Sequence, residues 1–594
     1  MITANGMNPR LSRSQLVFET GTVSGAPTAP SNPPPGLLPS RTPSHRDPGL
    51  KPGPTSSCNP WHGPLLLGLL VLGLFSWSPL TRGGGDKARK PNIILIMADD
   101  LGFSDLGCYG SEIATPNIDQ LANDGLRFTQ FYNNAKCGPS RASLLTGLYA
   151  QQTREGSDPE GALNLAQGLK LAGYRTLMTG RGGGLARSPL QSGFDHFFGL
   201  LDSCCNYFNP GLRRDGENEP GRKYPGETRA WGQDDRVFQP FTPEDSEFYA
   251  TDAFTQAALE YLEQHGGRDA PPFFLYLPYT APHFPIHARA EDIERYRGHY
   301  KIGWDELRKQ RHQRQVELGI VDRHWEPSPR DPMVKAWDSL SADEQNRWDL
   351  NMSVYAAMID RMDQGIGRIV SKLKAQGIAD HTLILFLSDN GACAEDYRGF
   401  STTASDRPPG PMESYRTQDL PWANVSNTPF RKYKWWLHEG GIASPLIAYW
   451  PGQIRPGRLT SQVAHLIDLM PTCLEVAGMP YPPSHDGQEL MPLEGISLLP
   501  IFRGHEATKS RTLYWHFGQC RAVRQGKWKL VAGHSNPRLG IDYFNQRGSS
   551  SAKWELYDMD RDRTEQVDLS AQFPDQVSRM SHLFATWIQR IDSK

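Results

Sequence analysis

Four stretches of the chain are continuously apolar, and three of them run into polar residues at their carboxyl end. They are NIILIMADD from Asn92, PFFLYLPYTAPH from Pro272, TLILFLSDNGA from Thr382 and ASPLIAYWP from Ala443. An apolar run without alternation is typical of a strand that is buried on both faces, as in the middle of a parallel sheet.

Two longer stretches between these runs have helical spacing of their apolar positions. They are TPNIDQLANDGLRF from Thr115 and MSVYAAMIDRMDQGIGRIVSKLKAQG from Met352. Because strands and helices alternate, the pattern predicts an open α/β sheet that is flanked by helices. In such sheets the ligand site lies beyond the carboxyl ends of the strands.

Changes in composition divide the chain into five predicted segments. Residues 1–62 are rich in Pro, Ser and Gly and are expected to be disordered, residues 63–80 contain a short apolar core, and residues 81–90 form a linker. Residues 91–499 form the large α/β domain, and residues 500–594 form a smaller α+β subdomain. In the latter, RAVRQGKWKLVAG predicts a hairpin and FPDQVSRMSHLFATWIQRID an amphipathic helix.

The apolar core from Leu65 to Trp77 is thirteen residues long. This length is short for a membrane-spanning helix and suits the core of a signal peptide. The long preceding segment is unusual for a signal peptide, and basic residues lie on both sides of the core. We therefore expect an exported protein, periplasmic or extracellular, and leave open a signal anchor that tethers it to the membrane.

Charge and cysteine content exclude two broad classes of protein. A net charge of −2 over 594 residues argues against nucleic-acid binding by bulk electrostatics. Eight cysteines without CxxC spacing support neither a disulfide scaffold nor a zinc finger. The segments 205–247 and 287–348 are charged and aromatic, so we expect surface insertions that select the substrate.

One cysteine stands in an unusual setting, KCGPSRASLLTG from Lys136 to Gly147. Pro139 suits the first helical position, and Gly147 can end the helix. Cys137 would then lie beside a helix N-terminus, where unpaired N–H groups and the helix dipole favour a thiolate or a bound oxyanion. Taken alone, Cys137 is better explained as a buried structural cysteine beside a capped helix.

Polar residues follow three of the apolar runs. Adjacent carboxylates repel each other, and a bound cation or exposure to solvent relieves that repulsion. The carboxylates and the asparagine supply only oxygen donors, which favours calcium and, as a second choice, magnesium. Either acidic pair alone would also fit a helix cap or a turn. The residues are Asp99 and Asp100 after the first run, His283 after the second, and Asp389 and Asn390 after the third.

Four ordered motifs resemble those of the sulfatase family, of the formylglycine-dependent arylsulfatase type, within the alkaline-phosphatase-like superfamily. CGPSRASLLTG matches the signature C-x-P-S-R followed by L-T-G. The other three are PNIILIMADDLGFSDLGCYG, LSDNGA and NTPFRKYKWWLHEGGIASPLIAYWPG. The resemblance runs from about Pro91 to the C-terminus. It implies a large mixed, mostly parallel sheet flanked by helices, plus a C-terminal α+β subdomain with an antiparallel sheet.

The resemblance also implies an activity, the hydrolysis of a sulfate ester to an alcohol and sulfate. In the family a formylglycine-generating enzyme converts the signature cysteine, here Cys137, to Cα-formylglycine. One hydroxyl of the aldehyde hydrate attacks sulfur, and loss of the proton of the other releases sulfate from the covalent intermediate. The expected substrate is a sulfated small molecule or carbohydrate.

Further roles follow from the family motifs residue by residue. Arg141 would hold the formylglycine hydroxyl, Lys434 would bind sulfate, and His283 would protonate the leaving oxygen or donate a hydrogen bond to it. The calcium ligands would be Asp99, Asp100, Asp389 and Asn390.

The chain departs from the family at one place. Where G-K-W-H is usual it has GRGG, so Arg181 takes the position of a sulfate-binding lysine and Gly183 that of a histidine that helps to deprotonate the second hydroxyl. A guanidinium still suits sulfate. Loss of the histidine predicts slow release of sulfate, unless His196 in GFDHFFG reaches the site.

Two other functions remain open at this stage. A phosphate or phosphonate ester hydrolase of the same superfamily would more often use Thr or Ser and two zinc ions. A catalytically impaired, membrane-tethered protein would bind metal and oxyanion without turnover.

Overall fold

The computed structural model describes residues 89–153, 161–183, 185, 187–395, 407–505, 511–533 and 553–592. The predictions for residues 1–62 and for the apolar core within 63–80 lie outside these residues. Within the described ranges, no helix is both long enough and apolar enough to cross a membrane.

Eleven strands of the described residues form one mixed, mostly parallel sheet. Its strand order is β10-β2-β9-β8-β1-β7-β3-β4-β5-β6, with β11 also paired to β2. The strands are β1 Asn92–Ala98, β2 Leu126–Tyr132, β3 Arg175–Arg181, β4 His196–Leu200, β5 Trp231–Gln233, β6 Arg236–Phe238, β7 Phe273–Pro278, β8 Thr382–Ser388, β9 Ala443–Tyr449, β10 Arg458–Thr460 and β11 Ala464–His465.

All four predicted apolar runs are strands of this sheet: β1, β7, β8 and β9. β1 lies at its centre and pairs in parallel with β7 and β8, so that Ile94 faces Leu275 on one side and Ile384 on the other. β9 is antiparallel to β8 and to β2. The predicted α/β fold class is confirmed.

Twelve α-helices lie in the described ranges, and helices cover both faces of the sheet. They are α1 Pro116–Asn123, α2 Cys137–Thr146, α3 Leu165–Leu171, α4 Ala250–His265, α5 Ala290–Glu294, α6 Trp304–Glu317, α7 Ala342–Ala375, α8 Asp419–Ser426, α9 Glu439–Ile442, α10 Leu469–Val476, α11 Leu499–Phe502 and α12 Pro574–Asp592.

Alternate residues of β1 enter two separate cores. Ile94 and Ile96 pack on the side of α1, α4 and α7, whereas Ile93 and Leu95 pack on the side of α2, α3 and α10. This explains why the strand sequence is continuously apolar, because neither face meets water.

One helical prediction was partly wrong. The stretch from Thr115 to Phe128 is helical only to Asn123, and its last residues already belong to β2. Asp124 and Gly125 separate the two elements. The Asp-Gly pair breaks the helix, and its turn character outweighs the apolar spacing that continues beyond it.

The C-terminal part contains the predicted antiparallel sheet. Its strands are β14 Thr512–Phe517, β15 Cys520–Gln525, β16 Trp528–Ala532 and β17 Glu555–Asp558, after the short hairpin β12 Ser484–His485 and β13 Gln488–Glu489. β15 and β16 are the predicted hairpin, and α12 is the predicted amphipathic helix. The exact boundary between the segments 91–499 and 500–594 stays a prediction.

Candidate active site

The functional residues meet where the parallel strands β1, β8, β7 and β3 end. β1 and β8 end in register, with Ala98 opposite Ser388, so Asp99 and Asp389 follow side by side. The next residue, Asp100, has a φ of 68°. This left-handed conformation is uncommon for a residue other than glycine, although aspartate adopts it more readily than most.

Cys137 is the first residue of α2. Lys136 precedes the helix in an extended conformation, and Gly147 ends it with a φ of 70°, as predicted. Pro139 is therefore the third helical residue, rather than the first as predicted. Its missing N–H costs nothing there, because the first N–H groups of a helix have no partner within the helix.

Arg141, one turn further along α2, joins the ends of β1 and β8. Its Nη2 lies 3.2 Å from Asp99 Oδ2 and 3.0 Å from Asp389 Oδ2. All three side chains are completely buried. Burial of charged groups is tolerated only when they are paired, so this contact fixes the helix relative to both strands.

Arg181 is the last residue of β3 and connects the cysteine to the acidic groups. Its Nη2 lies 3.2 Å from Cys137 Sγ, and its Nη1 is ion-paired with Asp99. The guanidinium thus occupies the space between the cysteine and the first strand.

Lys434 and His283 converge on Asp100 from the other side. Lys434 Nζ lies 2.8 Å from the Asp100 carboxylate and 3.4 Å from His283 Nε2. The other ring nitrogen of His283, Nδ1, lies 2.6 Å from the carbonyl oxygen of Phe284. A carbonyl only accepts hydrogen bonds, so Nδ1 carries a proton and the neutral ring presents Nε2 to the site.

Burial and charge act against each other on the ionisable groups of the site. Burial raises the pKa of Cys137, but Arg181, Lys136 and Lys434 outweigh burial and lower the pKa to about 7. Burial also raises the pKa of Asp99, and there Arg181 and Arg141 together hold the pKa below its usual range. The site therefore stabilises negative charge at the position of Cys137.

Burial dominates at His283. It lowers the pKa of this imidazole to about 4, although Asp100 acts in the opposite direction.

Two buried oxygen atoms of the site, Asp99 Oδ1 and Asn390 Oδ1, lack a hydrogen-bond partner among the described residues. Asp99, Asp100 and His283 can direct ligand atoms to positions within 4.8 Å of one another. Unsatisfied buried oxygens are costly, and a hard divalent cation is the ligand that satisfies such donors. Asp99, Asp100 and Asn390 among the predicted donors therefore fit a metal ion, and the close group contains His283 in place of Asp389.

His196 does not reach the site. It begins β4 and pairs with Leu177, whereas Arg181 pairs with Leu200 at the other end of the strand. Four residues of strand separate these positions by about 13 Å. His196 Nδ1 lies 3.3 Å from Asp234 instead. The alternative that His196 replaces the histidine missing at Gly183 is wrong.

A further cation lies beside Cys137 and was missed in the sequence. Lys136 Nζ lies 3.6 Å from the ring centroid of Trp435 and 3.9 Å from Glu395. Trp435, with a φ of 83°, directly follows Lys434. The signal was present, because Lys136 directly precedes Cys137 and Trp435 lies within the motif that contains Lys434.

The buried cations and the cysteine fit an oxyanion, and the acidic strand ends beside them fit a metal ion. The family model "Sulfatase" matches residues 91–479, and "N-sulphoglucosamine sulphohydrolase, C-terminal" matches residues 430–582. The chain belongs to the sulfatase family and is an enzyme that hydrolyses sulfuric esters.

Curated relatives agree with this assignment. The chain is 33% identical to an uncharacterized sulfatase of Schizosaccharomyces pombe over 83% of its own length and 92% of the relative's. It is 32% identical to an arylsulfatase of Klebsiella aerogenes, over 71% of this chain and 95% of the relative. It is 28% identical to the N-acetylgalactosamine-6-sulfatase of Canis lupus familiaris, over 82% of this chain and 80% of the relative.

Solved structures share the fold. A sulfatase from Pseudoalteromonas sp. matches with a TM-score of 0.58 at 20% identity, over 85% of this chain and 91% of its own. A protein whose structure was solved with its substrate D-glucosamine-2-N,6-O-disulfate matches with a TM-score of 0.54 at 21% identity, over 85% of this chain and 99% of its own.

Proposed function

We propose that the protein cleaves a sulfate ester through a formylglycine derived from Cys137, with help from calcium. The observation that carries this proposal is the contact of Cys137 Sγ with Arg181 Nη2 at 3.2 Å. Cys137 begins α2, and through Arg181 it adjoins the buried cluster that contains Asp99.

Arg181, Lys434 and the N-terminus of α2 would bind the sulfate group. Arg181 offers planar N–H donors next to Cys137, and Lys434 offers a point charge from the side of Asp100. A helix N-terminus adds unpaired backbone N–H groups, which favour an anion. Together they would hold the sulfur atom against the residue that replaces the thiol.

Calcium would be held by Asp99, Asp100, Asp389 and Asn390. When bound, it would polarise a sulfate oxygen, while the formylglycine hydrate would supply the attacking hydroxyl and a second one for sulfate release. Charge balance supports this: the three carboxylates are matched by the cations Arg141, Arg181 and Lys434. A divalent cation then balances one sulfate ester and one ionised hydroxyl.

His283 would serve the leaving oxygen. The contact of Nδ1 with the Phe284 carbonyl fixes the ring, and Nε2 faces Lys434. Lys434 Nζ, at 3.4 Å from Nε2, keeps its positive charge beside this position, so the pair would stabilise the negative charge that develops on the leaving oxygen.

Substrate, maturation and location complete the proposal. The substrate would be a sulfated small molecule or carbohydrate, since the protein with the D-glucosamine-2-N,6-O-disulfate complex shares the fold. A formylglycine-generating enzyme would modify Cys137. We also propose export through the apolar core 65–77, which N-terminal sequencing of the mature protein would test.

Release of inorganic sulfate from an aryl sulfate tests the proposed function. The wild type should release sulfate, and Cys137→Ala should release none while melting at the same temperature. Chelation should abolish release and calcium should restore it, whereas restoration by zinc alone would contradict the oxygen-ligand site. Binding of the ester without sulfate release would favour the non-catalytic alternative.

A further inference from the structure

The insertion 287–348 places one buried arginine against the segment that follows β1. Arg311 lies on α6, and its side chain is 1% exposed. Its Nε and Nη2 each lie 2.8 Å from one oxygen of the Glu112 carboxylate. Its Nη1 lies 2.7 Å from Asp105 Oδ1. All three nitrogens of the guanidinium therefore contact the segment that begins with the acidic residues of the site.

Asp105 extends this contact to the turn that contains Asp100. Its other oxygen, Oδ2, accepts a hydrogen bond from the backbone N–H of Gly102 at 2.9 Å. The same oxygen lies 2.8 Å from the hydroxyl oxygen of Tyr355 on α7, and this hydroxyl lies 3.2 Å from the carbonyl oxygen of Asp100. The arginine is thereby connected, through Asp105, to the backbone of the turn at two points.

The turn depends on support from its surroundings. Asp100 has a φ of 68°, a strained conformation for a residue with a side chain, and such strain persists where neighbouring groups hold it. Gly102 has no room on its other side, since a Cβ there would lie 2.3 Å from the carbonyl oxygen of Ser426. The turn is thus confined between Ser426 and Asp105, and a shift of Asp105 would move the Asp100 carboxylate.

Arg311 is the cation that keeps Asp105 in place. Both side chains are buried, and within the described ranges no other cation is ion-paired with Asp105. Loss of the guanidinium would leave a buried carboxylate without its cation, a costly state that movement of the side chain relieves. Tyr355 contacts the same carboxylate and the turn itself, so it supports the turn from α7.

We propose that Arg311 and Tyr355 are positioning residues of the metal site, which hold the turn so that Asp100 presents its carboxylate to calcium. This inference rests on the calcium site of the proposed function, and it assigns α6 of the insertion a part in metal affinity. Neither residue is a metal ligand, because both act through the backbone of the turn. An insertion that was expected to select the substrate thereby also sets how tightly the metal is held.

Calorimetric titration with calcium tests the inference on the mature enzyme after a chelator has removed its metal. Tyr355→Phe removes only the hydroxyl and should raise the Kd for calcium about tenfold at unchanged stoichiometry, the effect expected when a group that orients a metal ligand is lost. Arg311→Met should raise the Kd about 10–100-fold. Arg311→Lys should recover part of that loss, because it restores the charge but not the two-pronged contact with Glu112.

Each variant has a matched control. Tyr296→Phe removes a tyrosine hydroxyl that lies 2.8 Å from the Asp360 carboxylate, a contact of the same length at another position on α7. Arg308→Met removes the other buried arginine of α6, whose guanidinium contacts Ser328 of the insertion itself. Both controls should lower the melting temperature of the metal-free protein but leave the Kd for calcium within about twofold of wild type.

Turnover of 4-nitrophenyl sulfate gives a second reading. In Tyr355→Phe the calcium concentration that gives half-maximal kcat should rise with the Kd, whereas kcat at saturating calcium should stay within about threefold of wild type. An unchanged Kd in Tyr355→Phe, or an equal rise in Tyr296→Phe, overturns the inference. Tyr355→Phe decides alone if Arg311→Met does not fold.

The outcomes separate this inference from the proposed function. A wild type that binds calcium but cleaves no sulfate ester overturns the proposed reaction, and the Kd values of the variants still decide the inference. A wild type that binds no calcium overturns the calcium site and the inference with it. Release of sulfate by that same protein would still support the reaction at Cys137.

Discussion

Lys529 Nζ lies 2.8 Å from Glu439 Oε1 and is completely buried with it. Lys529 belongs to β16 of the C-terminal sheet, whereas Glu439 begins α9, five residues after Lys434. Arg563 Nε contacts the same carboxylate at 2.9 Å, and Glu565 lies 2.8 Å from Lys529. The C-terminal sheet thus holds the segment that presents Lys434 to the site.

Lys529→Met should destabilise the protein and weaken catalysis. It leaves Glu439 and Glu565 buried with one cation fewer, which costs about 3–5 kcal/mol. Urea unfolding measures the loss, and KM for an aryl sulfate reports the displacement of Lys434. The control is Lys309→Met, which removes an exposed lysine of α6 whose partner Glu306 is exposed as well. A loss below about 1 kcal/mol would contradict the role of this network.

Glu439 should make part of the stability dependent on pH. Burial raises the pKa of this carboxyl, but Lys529, Arg563 and Arg524 outweigh burial and lower it from 4.5 to about 2. Because the pKa falls on folding, ionised Glu439 stabilises the protein above pH 4.5, by about 3 kcal/mol. The contribution is lost as the pH falls toward 2.

The comparison with Glu439→Gln measures this contribution. The difference in unfolding free energy between wild type and variant should narrow by about 1 kcal/mol between pH 7 and pH 4. Glu306→Gln, which removes an exposed carboxylate on α6, should show no such narrowing. If the difference in unfolding free energy between wild type and Glu439→Gln did not change with pH, the lowered pKa of Glu439 would be disproved.

Arg181 should be needed for catalysis as a guanidinium. Arg181→Met removes the charge between Cys137 and Asp99, and kcat/KM should fall about 10²–10³-fold, the effect of losing one preorganised donor. Arg181→Lys should recover part of the loss, because it restores the charge but cannot contact both partners at once. Arg187→Met, at an exposed position, should be neutral. Activity of Arg181→Met within threefold of wild type, roughly, would remove Arg181 from the site.

Much of this site could be predicted, because short-range patterns mark it. The acids Asp99 and Asp389 directly follow apolar runs, and the parallel sheet brings such strand ends together. β3 could not be predicted in this way, since TLMTG mixes polar and apolar residues. Its Thr179 is buried, and its hydroxyl donates a hydrogen bond to the carbonyl of Phe254, a partner that the local sequence does not reveal. The role of Lys529 could not be predicted either, because its partner Glu439 is 90 residues away in the sequence.

Gly183 should make sulfate release slower than ester cleavage. It has no side chain to accept the proton of the second hydroxyl, so the wild type should show a burst of the leaving alcohol followed by slow turnover. Stopped-flow absorbance with 4-nitrophenyl sulfate measures the burst. Gly183→His should reduce the amplitude of the burst and raise kcat. The new Cβ would lie 3.3 Å from the carbonyl oxygen of Asp202, a close contact that requires a small shift of the loop. A linear time course in the wild type would show that another step limits turnover.

The central claim is that Cys137 is the precursor of the nucleophile, and mass spectrometry of the proteolytic peptide that spans it tests this most directly. The protein should be purified from cells in which another sulfatase is demonstrably modified. The account predicts the mass of an aldehyde in place of the thiol. An unmodified thiol at Cys137 in an active preparation would contradict it.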